Sequence, residues 1–348
     1  MKNRTYKNAL GCVVSYKAFY EPFLFNELNT ACPGMQLVNR GDASAAFLVS
    51  DYTKIVSAVH DDGFIFLQHV HPFLCQREIG GEITDFALYT EMLDTIADFL
   101  SYDDRIICQC RIDSRDRMEY SNRDLTELLA SMLGQNGYNV SPLEAEVAVS
   151  LTVLKNTAYM GVSYLSDNVS DWTGGVLFYS KAGDAICRAE FKLEEAIKVF
   201  AIEIKEGMKA LDLGAAPGGW THYLSKQGIK VDAVDPAELN EAVLECKDVV
   251  HYKTTAQEFV NTNPNRYYDM IVNDMKMDTK QSVEIICEMS KQLNPGGMCL
   301  MTLKLPKNNV QKRIREAKKI LGRVFDTIQI RQLYYNRSEV TVYAKGRI

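Results

Sequence analysis

At 348 residues the chain exceeds one ordinary domain and has room for two or three, each with its own core. Hydrophobic residues make up 47% and charged residues 24%, values that exclude a disordered chain and a membrane-embedded one. A net charge of -6 excludes a surface that is basic throughout, so contact with phosphates has to come from a local cluster of lysine and arginine.

Lys2, Arg4 and Lys7 open the chain, but Ser15, Lys17 and Glu21 interrupt the apolar residues behind them. No signal peptide is expected, and no stretch approaches the length of a membrane span. The nine cysteines are scattered and include no Cys-x-x-Cys pair, so reduced thiols in a cytoplasmic setting are expected. Strand-like runs at 9–16, 45–49 and 63–69, with helical runs at 20–30 and 51–59, predict a small α+β unit. Within it His69 and His71 alternate as ordinary strand residues, and no metal site is expected.

A second block opens with an amphipathic helix over 83–100 and a strand over 105–112, which would put Cys108 and Cys110 on one face as buried thiols. A helix over 123–135 follows, then strands over 147–154 and 158–165 divided by Lys155-Asn156. From about Phe191 strands and helices alternate, as in a doubly wound α/β sheet. The pattern predicts a helix over 191–204 and strands over 209–213, 230–235, 249–252, 268–274, 297–305, 327–333 and 339–344. The short loop 334–338 makes the last two an antiparallel pair.

The first of these strands runs into Leu211-Asp-Leu-Gly-Ala-Ala-Pro-Gly-Gly-Trp220. Glycines in a strand-to-helix turn let backbone approach a ligand. Gly214, Gly218 and Gly219 do not have the G-x-G-x-x-G spacing of dinucleotide sites, and no G-K-[ST] follows, so nicotinamide and phosphate-loop nucleotides are disfavoured. Asp212, Asp235 at the second strand's end and Asp274 at the fourth's make an acidic pocket that suits a cationic sulfonium better than a polyphosphate. Asp235 is placed to accept from ribose hydroxyls.

Ligands in parallel α/β sheets sit beyond the carboxyl ends of the strands, where Asp274 and Lys304 fall. The reversed final strand begins on that same edge and brings Glu339, and Lys192 lies on the helix ahead of the sheet. Two nearby lysines disfavour each other's charge while carboxylates oppose that shift, and either effect can dominate. Between Lys304 and Arg323 stand eight basic residues and one acid, Glu316. The helix over 308–321 has Val310, Ile314, Ala317 and Leu321 on one stripe, with Lys312, Arg313, Arg315 and Lys319 outward. A solvated face and an RNA-phosphate contact are both open readings.

Residues 188–348 resemble the FtsJ family of RNA ribose 2'-O-methyltransferases, whose Lys-Asp-Lys-Glu tetrad matches Lys192, Asp274, Lys304 and Glu339. Arg331-Gln-Leu-Tyr-Tyr-Asn-Arg-Ser-Glu-Val-Thr-Val342 and Lys192-Leu-Glu-Glu-Ala196 are closer still to the bacterial RlmM type. The resemblance implies a Rossmann-like S-adenosylmethionine-dependent methyltransferase domain over 181–348, with a seven-stranded sheet and an antiparallel last strand. It implies a ferredoxin-like α+β region over 1–82 and a THUMP-like RNA-binding domain over 83–180. The implied cofactor is S-adenosyl-L-methionine, held by Asp212, Gly214, Ala216, Pro217, Gly218, Gly219, Trp220, Asp235, Thr255 and Asp274. Thr255 stands where RlmM-type proteins place an acid for the adenine. The implied partner is RNA, 23S ribosomal RNA in particular, with neither a membrane nor an obligate protein partner.

In that family's terms Lys304 deprotonates or polarises the ribose 2'-hydroxyl, Glu339 orients, Lys192 helps hold the nucleotide and Asp274 positions the methyl donor and the basic cluster. A methyltransferase for a small molecule or protein would share the cofactor loop but has no need of the tetrad. A non-catalytic RNA-binding protein that kept the fold has no need of it either.

Overall fold

The computed structural model describes residues 6–114, 118–177 and 185–346. These fall into two compact units, Met1–Val176 and Leu177–Ile348. In the first unit β1 (Gly11–Ser15), α1 (Glu21–Ala31), β2 (Gln36–Arg40), β3 (Ser44–Leu48), α2 (Thr53–His60) and β4 (His69–Phe73) follow in β-α-β-β-α-β order. Their strands form an antiparallel sheet ordered β2-β3-β1-β4. Then come β5 (Cys75–Glu78), α3 (Asp85–Ile96), β6 (Arg105–Asp113), α4 (Asn122–Gln135), β7 (Asn139–Val140), β8 (Val147–Leu154) and β9 (Thr157–Tyr164). This second sheet is ordered β5-β9-β8-β6-β7, with α3 and α4 packed on it over a core that includes Leu93, Leu129, Leu151 and Met160. The α4 start is fixed by a capping box in which Ser121 and Asp124 satisfy each other's backbone amides.

The two sheets share one unit. Val13, Ala46 and Phe73 of the first pack against Leu154 and Tyr159 of the second, and the Asp113 carboxylate accepts from the Asp42 and Ala43 amides at 3.2 and 3.0 Å. The 82/83 border expected from sequence lies beyond β5, which already pairs with β9 in the second sheet. The strand expected over 63–69 is displaced to β4. Phe64 and Phe66 are buried, which imitates a strand, but the Ile65 and Phe66 amides donate to the Glu27 carboxylate, both at 3.1 Å, instead of to a ladder. His69 and His71 are buried in β4, and burial pushes them down to about 3 and about 4, so both are neutral. Burial pushes the Cys108 thiol up to about 12.

In the second unit α5 (Ala189–Val199), β10 (Lys209–Leu213), α6 (Gly219–Lys226), β11 (Lys230–Val234), α7 (Glu241–Leu244), β12 (Val249–Tyr252), α8 (Ala256–Thr262), β13 (Tyr268–Asn273), α9 (Thr279–Met289), β14 (Leu293–Lys304), α10 (Val310–Leu321), β15 (Thr327–Arg331) and β16 (Glu339–Lys345) follow in order. The sheet runs β12-β11-β10-β13-β14-β16-β15. Pairing is parallel as far as β14, and β16 runs antiparallel between β14 and β15. Helix α5 ends at Val199, five residues short of the Ile204 end expected from sequence, because Ala201 takes a left-handed φ of 48°. Interior strand β14 is buried from Gly297 to Leu303 and emerges again at Lys304, the pattern of a strand covered on both faces. Among the described residues no helix is long and apolar enough to cross a membrane.

The close approach of the two sheets in the first unit gives a direct test. A Cβ on Gly161 of β9 would lie 2.1 Å from the Pro72 carbonyl oxygen. Gly161→Ala should therefore cost about 1–3 kcal/mol by overpacking, read as a lowered midpoint in urea unfolding followed by circular dichroism. An unchanged midpoint would mean that β9 moves aside freely.

Candidate active site

The loop leaving β10 departs furthest from ordinary backbone geometry. Gly214 has φ of 74° and Gly218 of 110°, and the Ala216-Pro217 peptide is cis. A Cβ on Gly214 would meet the Met275 side chain at 2.4 Å, and one on Gly218 would meet Val243 at 2.8 Å. Positive φ and contact with protein atoms account for both glycines, where the sequence suggested room for a ligand. Gly214, Ala216, Pro217, Asp235 and Asp274 keep accessible surface, whereas Asp212, Gly218, Gly219 and Trp220 are buried. Trp220 is 3% exposed, and its indole N–H donates to the Ala189 carbonyl at 2.8 Å. It ties α6 to α5 from within the core.

The three carboxylates at this edge have different tasks. Asp235 accepts from the Ala237 amide at 2.8 Å and the Ala216 amide at 3.2 Å, which fastens the β10 loop to the end of β11. Asp212 is buried and accepts from the Thr221 hydroxyl at 2.6 Å. Burial pushes its carboxyl up to about 7; bonds from Thr221 oppose the rise, and the negative charges of Asp274 and Asp235 add to it. A group whose neighbours are this acidic favours a cationic occupant. Thr255 is exposed, and its hydroxyl accepts the Glu258 amide to cap α8.

Lys192, Asp274, Lys304 and Glu339 form one connected network. The Lys304 ammonium donates to Asp274 Oδ1 at 2.7 Å. The Lys192 ammonium lies 3.3 Å from Asp274 Oδ2 and 2.8 Å from Glu339 Oε1. Lys304 and Glu339 are directly opposed in the β14–β16 register, so topology alone brings them together. Burial pushes Asp274 up, but the Lys304 and Lys192 charges and its hydrogen bonds outweigh this and hold it below the usual carboxylate range. At Lys192 burial acts downward, and Asp274 with Glu339 overcomes it, so the ammonium is held above its ordinary value. Between the two effects weighed from sequence, the carboxylates win at Lys192.

Two supporting residues escaped sequence reasoning. Thr302, two positions before Lys304 on the same face of β14, donates to Asp274 Oδ1 at 2.6 Å and accepts from the Lys304 ammonium at 2.8 Å. A lone hydroxyl inside an otherwise apolar run carries no periodic signal that would have found it. Glu195 is 2% exposed and accepts the Tyr334 and Tyr335 amides at 2.6 and 2.8 Å. It lies one helical turn beyond Lys192, so α5 presents the lysine and clamps the loop leading to Glu339. On α10 the stripe Val310, Ile314, Ala317 and Leu321 is buried as expected, and Lys312, Arg315, Lys318 and Lys319 are exposed. Glu316 pairs with Lys312 and Arg313 along the same helix.

Residues 185–341 match the family model described as FtsJ-like methyltransferase. A protein of Shewanella denitrificans named Ribosomal RNA large subunit methyltransferase M is 32% identical over 201 residues, covering 53% of this chain and 53% of that one. The protein of the same name from Sodalis glossinidius is 31% identical over 252 residues, covering 67% of this chain and 66% of that one. The chain thus spans about half the length of the first of these relatives and just under two thirds of the second.

The raised Asp212 carboxyl has a consequence for stability. Its folded pKa of about 7 stands above the unfolded value of about 3.9, so its contribution favours folding at low pH and is lost as pH rises toward 7. Asp212→Asn has no such proton to lose. Relative to wild type it should gain stability across that interval, by up to about 1.4 kcal/mol per pH unit, and then level off. Urea unfolding of both proteins at steps from about pH 5 to 8 reads the difference, and a flat difference would place the Asp212 pKa elsewhere.

Proposed function

The chain belongs to the FtsJ-like methyltransferases as an RlmM-like member, and from that premise we propose that it transfers a methyl group from S-adenosylmethionine to a ribose 2'-hydroxyl of ribosomal RNA. The observation that carries this reading is the network of Lys192, Asp274, Lys304 and Glu339 at the carboxyl edge of the sheet. A small-molecule methyltransferase has no need of two lysines and two carboxylates there. The relatives' name supports large-subunit ribosomal RNA as the substrate, and a cytoplasmic setting is part of the same proposal.

The cofactor fits the donor set. Buried Asp212, with Asp274 and Asp235 acting on it, supplies the negative field that a sulfonium and an α-ammonium require. Each Asp235 oxygen keeps a second lone pair for a ribose hydroxyl, and Gly214, Ala216 and Pro217 offer accessible backbone. When bound, the cofactor supplies an electrophilic methyl group for in-line displacement. The chain's own residues position and deprotonate the acceptor. Lys304, held by Asp274 and Thr302, polarises the 2'-hydroxyl, or takes up its proton after first giving one of its own to solvent. Lys192, kept protonated by Asp274 and Glu339, offers a fixed positive charge to the nucleotide. Asp274 orients both lysines, and Glu339 acts through Lys192.

We read the first unit as a ferredoxin-like region that ends with β4, followed by a THUMP-like RNA-binding domain that begins with β5, and the second unit as the methyltransferase domain. The β-α-β-β-α-β order of the first sheet and its strand order β2-β3-β1-β4 support the ferredoxin-like part. Phosphate contacts confer affinity without sequence information, so RNA choice falls to elements outside the basic helix α10.

Lys304→Ala should lose about 10²- to 10⁴-fold in methyl transfer, the usual cost of removing a general base, while still binding cofactor. Tritium transfer from labelled S-adenosylmethionine to an unmodified 23S ribosomal RNA transcript measures this; full activity in the variant would sink the mechanism, and transfer to protein alone would sink the RNA substrate. Cofactor affinity should also rise between about pH 6 and 8 as Asp212 ionises, and the Asp212-dependent part of that rise should vanish in Asp212→Asn. Calorimetric titration of both proteins over that range checks it.

A further inference from the structure

At the amino ends of its parallel strands, opposite the edge that carries the tetrad, the second unit has a cavity of about 710 Å³. Strands β10, β11, β12 and β13 run parallel, so their first residues gather there just as their last ones gather toward the tetrad. The volume falls within the range of about 300–1,000 Å³ that small-molecule pockets occupy. The space beside Gly207, which lines it, is open: a Cβ there would meet no atom within 4 Å.

Its walls carry a charge arrangement that the fold itself does not require. Lys209 opens β10, Lys230 opens β11, and the two are direct neighbours in the parallel register. Neighbouring strands lie about 4.8 Å apart, so the two side chains leave adjacent backbone positions. Lys247, just ahead of β12, joins them on the lining. All three lysines are exposed, and among the described residues none of their ammoniums pairs with a carboxylate. Two of the acids on the same lining are committed elsewhere. Asp232 accepts from the Arg266 guanidinium at 2.8 Å and the Tyr268 hydroxyl at 2.7 Å, and Asp269 accepts from the Lys209 amide at 2.9 Å and the Asn294 side-chain amide at 2.8 Å. The third, Asp248, is exposed and leaves the three ammoniums in excess. Like charges side by side across a sheet are unfavourable, so an anion bound between Lys209 and Lys230 relieves a repulsion built into the strand register. Tyr267 completes the wall: it is 53% exposed, and among the described residues its ring meets no other ring and no cation.

We propose that this cavity is a nucleotide site, in which a diphosphate bridges the Lys209 and Lys230 ammoniums, Lys247 closes the anion cradle and the base lies on Tyr267. Phosphate oxygens accept charge-assisted bonds from lysine, and a base of any kind offers a π face to a tyrosine ring. The ligand class is a free nucleoside diphosphate or triphosphate, since an enclosed volume of this size suits a small molecule better than a polymer strand. The site stands whether or not the chain methylates RNA. It also lies at the opposite end of the strands from Lys304, so a ligand in one place leaves the other open.

Calorimetric titration of the full chain with uridine diphosphate, with pyrophosphate and with a short oligouridylate lacking terminal phosphates tests the site. Uridine diphosphate is the probe because it lacks the adenine that the cofactor pocket is proposed to hold. It should bind saturably, and Lys209→Gln and Lys230→Gln should each raise its Kd about 10-fold, as loss of one charge-assisted contact does, while Lys318→Gln on α10 leaves it unchanged. Tyr267→Leu should raise the Kd of uridine diphosphate about 10-fold and leave that of pyrophosphate unchanged. No saturable binding, an unchanged Kd in both lysine variants, or equal weakening by Lys318→Gln overturns the site. An equal loss for both ligands in Tyr267→Leu overturns the base contact. Tighter binding of the oligouridylate with the same lysine dependence assigns the cradle to RNA backbone and overturns the free nucleotide. If either strand variant unfolds, exposed Lys247→Gln decides: a raised Kd supports the cradle, and an unchanged one overturns it.

Discussion

One carboxylate, Asp274, holds the candidate site together. It receives Lys304 on one oxygen and faces Lys192 on the other, with side chains that are 19%, 23% and 15% exposed. Two ammonium groups drawn this far out of water repel each other and each bears a desolvation cost, so neither stands there without a shared counter-charge. Removing one partner from such a group typically costs about 3–5 kcal/mol, because what remains is an unpaired buried charge. Much of the second unit's architecture serves that meeting. Strand β13 ends one residue before Asp274, β14 ends on Lys304, and β16 has to run backward for its first residue, Glu339, to arrive on the same edge.

The surroundings divide rigid packing from what a ligand can reach. Gly214 and Gly218 press against Met275 and Val243, Trp220 is sealed into the core, and Asp235 ties the β10 loop to β11. The accessible remainder is backbone at Gly214, Ala216 and Pro217 and the free edges of Asp235 and Asp274. A loop so fully braced by protein contacts arrives pre-organised, which lowers the ordering cost of binding. The acidity of the pocket then selects the sign of what binds.

How much of this the sequence carried depends on the type of residue. Lys192, Asp274, Lys304 and Glu339 were legible because each interrupts or ends an apolar run, and a charge at such a point must emerge at a sheet edge or be paired. The glycine-proline turn was legible as a turn, but its reason was not, since contacts with Met275 and Val243 are made across the fold. Phe64 and Phe66 read as a strand because burial looks the same from a loop as from a ladder; only the Glu27 carboxylate on their amides separates the two. Trp220 closes the motif, and its burial was not legible there because a helix turns its successive residues to different faces. Thr302 was invisible because one hydroxyl in an apolar strand carries no periodic signal.

Glu195 shows why the remaining part was beyond reach and why it matters. In sequence it is one acid beside another on an amphipathic helix, and Glu194 is solvated enough to pair with Lys198. In the fold Glu195 is the buried one, and its partners are backbone amides some 140 residues away, which no local pattern encodes. A carboxylate buried against two N–H groups is a rigid joint, since charge-assisted bonds to backbone are short and strong. Through it, Lys192 on α5 and Glu339 beyond the turn share one frame, and their 2.8 Å ion pair follows from that frame instead of having to assemble it.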